Sequence, residues 1–137
     1  MKPLRIKHVA QKHDKGCVVA CIAMVLGWDY DKVVAEFHND FNKKGISGDI
    51  AKDFICDYGF SVIEKRGGGY IDLDEHNKRM MTPFAPVHIV TVKQFIDAKI
   101  NHCVVMNSKG KIYDPSDKSR DKVFYYSVEH VMGFFKT

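Results

Sequence analysis

The segment Cys17-Val-Val-Ala-Cys-Ile-Ala-Met-Val-Leu26 constrains this chain more than any other feature. A helix that is apolar on nearly every face has no side to leave in water, so the spacing predicts a buried central helix. Gly27 follows it directly and is the residue type that most readily ends a helix in the left-handed conformation. The remaining chain must therefore wrap this helix. With 137 residues there is enough chain for one such core and too little for two domains of ordinary size, so residues 1–137 read as a single domain.

The wrapping elements separate by type along the sequence. After a short extended start around Leu4 to Val9, Asp29 or Asp31 can cap a second helix through Phe37, with Val33, Val34 and Phe37 at helical spacing. Ser47 can cap a third helix, Gly48 to Tyr58, stopped by Gly59. Beyond it, Phe60 to Glu64 alternates as a strand does, and Gly67-Gly68-Gly69 opens a polar loop or flap that runs to Pro86. Val87 to Val92, Cys103 to Met106, Lys111 to Tyr113 and Val123 to Tyr126 read as further strands, with a hairpin turn at Ser108-Lys109-Gly110. Lys93 to Ala98 is expected to form a short helix, and Ser127 to cap a terminal one. Helices first and strands afterwards make an α+β fold, with N-terminal helices packed on a C-terminal antiparallel sheet.

Composition excludes several function classes. The chain is 45% hydrophobic and 28% charged, an ordinary globular balance. It has no apolar run long enough to span a bilayer, and its first residues carry Lys2, Arg5, Lys7, Lys12 and Lys15 without an apolar signal core, so a cytoplasmic protein without membrane contact is expected. The formal charge of +4 comes from dispersed lysines rather than a basic stripe interleaved with aromatics, which argues against specific nucleic-acid binding. Four cysteines in such a chain are expected as reduced thiols, available for chemistry.

One of those thiols stands where chemistry is favoured. Cys17 follows the turn Asp14-Lys15-Gly16 and begins the apolar helix, so its sulfur is expected near unpaired backbone N–H groups that favour a thiolate and can hold an oxyanion. Gln11, six residues earlier, can supply a second oxyanion donor, or else be a solvated polar residue. His102 opens one strand of the expected hairpin, and Asp114-Pro115 ends the other. The turn then folds Asp114 back beside His102, where a carboxylate can hold the imidazole in the tautomer a thiol needs.

Gln-x5-Cys at a helix start, then His-x-Val-Val, then Asp-Pro, is similar to the bacteriocin-processing, double-glycine-leader cysteine peptidases of the papain-like superfamily. The match covers the catalytic positions and element order over about 100 residues. The resemblance implies a papain-like fold and a cysteine peptidase, with Cys17 as nucleophile, His102 as base, Asp114 as orienter and Gln11 as oxyanion donor. It implies no cofactor and a peptide or protein substrate cleaved at a peptide or isopeptide bond. That family usually reads Asp-Cys-Gly where this chain has Gly16-Cys17-Val18. Two alternatives accompany the peptidase reading: a degenerate module that binds a peptide tail or partner protein, and a deamidase or transamidase on the same scaffold.

Rival residues carry less. Cys21, one turn into the apolar helix, should have a raised pKa and belong to the core, and Cys17-x3-Cys21 lacks the partner spacing of a zinc site. Cys103 should point to the opposite face from His102, into the core, and Cys56 should be a small packing residue. His13 is expected as an exposed turn residue. His8, His38, His76, His88 and His130 are expected at the surface or satisfied by neighbours. The Gly67-Gly68-Gly69 run lacks the Lys-Ser or Lys-Thr of a phosphate loop.

Overall fold

Helix α1 runs from Cys17 to Leu26, and Val19 through Ala23 have no exposed surface. It ends where Gly27 takes φ 71° and its N–H reaches back to the Ala23 carbonyl. Each fully buried Val or Ile side chain of this kind stabilises the fold by about 2 kcal/mol, which is why so apolar a segment becomes the centre rather than a surface helix. The computed structural model describes residues 4–66, 81–94, 101–116 and 126–137.

Around α1 pack α2 (Tyr30–Glu36) and α3 (Gly48–Asp57). Asp29 occupies the position before α2 without a side-chain capping bond, whereas the Ser47 hydroxyl accepts the Ile50 N–H at 3.3 Å and caps α3. Leu4, Ile6 and Val9 of the extended N-terminal segment lean on the same core. Trp28 meets Phe54 and Tyr58 edge-on with ring centroids 5.8 and 4.7 Å apart, closing the core between α1 and α3.

The five strands, β1 (Phe60–Arg66), β2 (Val87–Gln94), β3 (Asn101–Asn107), β4 (Ile112–Tyr113) and β5 (Tyr126–Lys136), form one antiparallel sheet in the order β1-β5-β2-β3-β4. Val87, Ile89, Cys103, Val105, Met132 and Phe134 face the helices. Val90, Val92, Val104, Met106, Ile112, Val128 and Val131 face the other way, where Met81 and Phe84 pack on them. Between the layers the expected α+β arrangement is present: helices first, then an antiparallel sheet.

Two expectations are corrected. Ser127 does not cap a terminal helix, because residues from Tyr126 onward form β5, hydrogen-bonded to β1 on one side and β2 on the other. The strand is not a simple alternation: Thr91 pairs with His130 and Val92 with Val128, so Glu129 is the extra residue of a bulge that shifts the alternation by one. Lys93 and Gln94 extend β2 rather than starting a short helix; the rest of that expected helix lies outside the described residues. So do Gly67-Gly68-Gly69, most of the expected flap, and Val123 to Phe124-Tyr125. Among the described residues no helix is long and apolar enough to cross a membrane.

Candidate active site

The turn before α1 sets the position of Cys17. Gly16 lies at the helix start, its N–H donated to the His13 carbonyl at 3.1 Å. A Cβ at residue 16 would sit 2.1 Å from the Tyr30 hydroxyl and 3.2 Å from the His13 carbonyl oxygen, so only glycine fits. With no side chain before the helix, no side-chain cap takes up the first-turn amides. Tyr30 comes to this place on α2, where its hydroxyl meets His13 Nδ1 at 2.9 Å and the two rings stack 5.6 Å apart. His13 is therefore a half-buried partner of Tyr30, not the exposed turn residue expected.

Asp114 reaches His102 through strand register. β4 pairs with β3 at Val105 to Tyr113 and Met106 to Ile112, which puts Asp114 next along the ladder, on the same side and one diagonal from His102. The hairpin between them is tied by Asn107, whose side-chain oxygen accepts the N–H groups of Lys109 and Lys111, each at 2.9 Å. The outcome is a 2.6 Å bond between His102 Nε2 and Asp114 Oδ1. The same oxygen accepts the Ser116 N–H at 2.9 Å and hydroxyl at 2.8 Å. The N-terminal segment straps this corner down, with Gln11 N–H donated to the Pro115 carbonyl at 2.8 Å and His8 Nε2 meeting the Asp114 carbonyl at 2.8 Å.

Cys17, His102 and Asp114 are brought together, and their electrostatics are coupled. The Cys17 thiol is pulled down to about 4, first by hydrogen bonding with the Cys103 thiol and, against the opposing effect of burial, by the His102 imidazole. Burial alone would lower the His102 pKa, but the Asp114 carboxylate and then Cys17 outweigh it and hold the ring at about 9. Burial likewise opposes ionisation of Asp114, and the His102 and Ser116 hydrogen bonds overcome it, leaving the carboxyl well below the usual range. Cys21 behaves oppositely: burial, then the charge of Cys17, pushes it far up, as suits a core thiol.

Cys103 departs from its expected separation from the site. It is buried on the helix-facing side of β3, yet it interacts with Cys17, as His102 does from the preceding position. β4 borders β3 only at Val105 and Met106, so at His102 and Cys103 the strand edge lies alongside the start of α1 and successive residues both reach the thiol. Thr91 backs Cys103 from β2, oxygen to sulfur at 3.6 Å.

Gln11 stands beside the turn, but its amide is turned onto it: Nε2 donates to the His13 carbonyl at 2.9 Å and toward the Asp14 carbonyl at 3.4 Å. Its Oε1 is buried and has no hydrogen-bond partner. As placed, Gln11 braces the turn that carries Cys17. The buried His88 is a satisfied residue: Nε2 accepts the N–H groups of Phe84 and Ala85, both at 3.0 Å, so Nδ1 carries the proton and donates to the Met106 carbonyl at 3.0 Å. Among the described residues, no three His, Cys, Asp or Glu side chains are grouped to hold a metal.

Sequence reading missed Cys103, Ser116, His8 and Tyr30 as neighbours of the site. Only Ser116 had a local signal, since Asp-Pro-Ser can place a carboxylate against an N–H two residues on. No protein-family model matches this chain, and no curated protein matches it.

Proposed function

We propose that this chain is a papain-like cysteine peptidase that works by thiol-dependent acyl transfer at a peptide or isopeptide bond. The observation that carries this reading is the convergence of Cys17, at the start of α1, with a His102 ring held by Asp114 at 2.6 Å, where the thiol is pulled down to about 4 and the imidazole up to about 9. Between those values the resting pair is thiolate and imidazolium, so the nucleophile is formed before substrate arrives.

In this reading the thiolate attacks the carbonyl carbon, and the N–H groups at the start of α1 receive the oxyanion. The His102 imidazolium then gives its proton to the leaving amine. With Nε2 bound to Asp114, that proton travels through Nδ1. Water, deprotonated by the now neutral imidazole, releases the acyl group and restores the ion pair; an amine in its place would give transamidation. Asp114 acts as orienter throughout, and Ser116 holds Asp114. Gln11 becomes an oxyanion donor only if its amide turns from the His13 carbonyl toward Cys17. That amide is the observation favouring the second reading, a scaffold that grips a peptide tail without cutting it.

The test compares thiols and then removes one. At neutral pH a small thiol-reactive probe should label Cys17 far faster than Cys21, Cys56 or Cys103, and Cys17→Ala should abolish peptide turnover. Equal labelling of the four, together with a Cys17→Ala variant that keeps its full effect, would sink the enzyme reading.

A further inference from the structure

A charged groove of about 480 Å³ lies across the helix-facing side of the sheet. Its floor is a row fixed by strand register: Arg66 of β1 pairs with His130 of β5, His130 with Thr91 of β2, and Thr91 with Cys103 of β3. Thr91, His130 and Arg66 line the groove, and Cys103, at the end of the row, interacts with Cys17. The wall is the start of α3 at Ser47 and Gly48. That wall is joined to the turn before Cys17, since Gly45 packs against the Lys15 carbonyl, a Cβ there lying 2.8 Å from the oxygen. The row thus links groove and thiol through two side chains: Thr91 Oγ1 lies 3.6 Å from the buried Cys103 sulfur, and Cys103 interacts with Cys17.

The charges along the groove are unevenly matched. Glu64 is held by His130 at 3.1 Å and by Lys52 at 3.3 Å, Asp49 faces the same Lys52 at 3.7 Å, and Glu129 faces Lys93 at 3.9 Å. Each carboxylate lining the groove thus has a cation. Arg66 lines it too, and among the described residues no carboxylate meets its guanidinium. Among the described residues the cationic end of the row is the one without a carboxylate partner, and a planar guanidinium is the side chain best matched to a carboxylate.

We propose that this groove is a substrate subsite and that Arg66 at its far end selects a carboxylate side chain, Asp or Glu, of an extended peptide lying on Cys17. The inference rests on the nucleophile reading above and adds a substrate class to it. Strands lie about 4.8 Å apart, so three strand spacings separate Cys103 from Arg66 by about 14 Å. An extended peptide advances about 3.3 Å per residue. The acidic residue therefore falls about four to six residues from the one bonded to Cys17.

The test uses extended peptides, each with a central cysteine activated as a thiopyridyl disulfide and a single Glu moved stepwise away from it on either side. Mixed-disulfide formation at Cys17 is mapped by mass spectrometry, and each rate is divided by that protein's own iodoacetamide rate at Cys17. The expected result is a preference of about tenfold for Glu over Gln or Lys at one position in that window, equivalent to about 1.4 kcal/mol. The preference should vanish in Arg66→Gln and turn to Lys in Arg66→Glu. Equal rates for Glu, Gln and Lys at every position, or a preference that survives Arg66→Gln, overturns the subsite. Failure of iodoacetamide itself to select Cys17 overturns the nucleophile reading instead, so the two failures are distinct.

Discussion

Gly16 shows at the scale of one residue how this site is built. A peptidase of the resembling family carries Asp before the cysteine, and here the Tyr30 hydroxyl occupies the space that any Cβ would need. The sequence displays the glycine but not its cause, because Tyr30 comes from the next helix and only packing shows where its hydroxyl ends. Gly16→Ala should therefore destabilise the protein by about 1–3 kcal/mol, as overpacking does, and should slow Cys17 alkylation by moving the turn. Tyr30→Phe removes the oxygen nearest that Cβ, so the double variant should recover part of the loss. Chemical denaturation of the four proteins checks this, and strictly additive effects would contradict it. The residues of the triad were legible because each belongs to a local pattern: a thiol at a helix start, and two residues facing across a short hairpin. Cys103 was not legible as a neighbour of Cys17. Alternation alone sends it away from His102, and only the strand edge beside α1 lets both side chains reach one sulfur.

Elements with a single periodicity were read well, and those that mix periods were not. α1 matches its expected bounds and α3 ends one residue before Tyr58, because apolar spacing, the Ser47 cap and the closing glycine agree. β5 was misread because Ser127 is a residue type that caps helices, while the bulge at Glu129 breaks the strict alternation that marks a strand. Its Gly133 carries a structural requirement of its own: a Cβ there would lie 2.3 Å from the Phe84 ring and 2.9 Å from the Ala85 Cβ. Phe84 and Ala85 are in turn held by His88, whose Nε2 accepts both of their N–H groups. Gly133→Ala should thus cost about 1–3 kcal/mol, and Phe84→Leu in the same protein should recover part of it. Thermal melts of the single and double variants test this; an undisturbed Gly133→Ala would show that Phe84 does not hold its place against the sheet.

For the whole molecule, the α+β class followed from the order of elements, but the strand order did not. β1 pairs with β5 across about half the chain length, and no local pattern specifies a partner that distant. The site is itself part of the stability of the fold, because the charges that serve Cys17 are linked to folding. Asp114 is held below the ordinary carboxylate range, so its contribution is fully present above the unfolded value of about 3.9 and is lost as pH falls toward the folded one. Asp114→Asn should cost about 2 kcal/mol near pH 6. Its stability gap from the parent should close as pH falls below about 4, and a gap independent of pH would contradict the linkage. His102 has the opposite sign: its folded pKa of about 9 lies above the unfolded value of about 6.5. Its contribution is complete below the lower value and disappears as pH rises through the upper one.

The central claim is a resting thiolate and imidazolium, and the pH dependence of Cys17 alkylation by iodoacetamide, followed by mass spectrometry, tests it most directly. The rate is expected to rise through about 4, hold a plateau across neutral pH and change again near 9 as His102 loses its proton. A single rise near the ordinary thiol value of about 8.5, unaffected by His102→Ala, would contradict it.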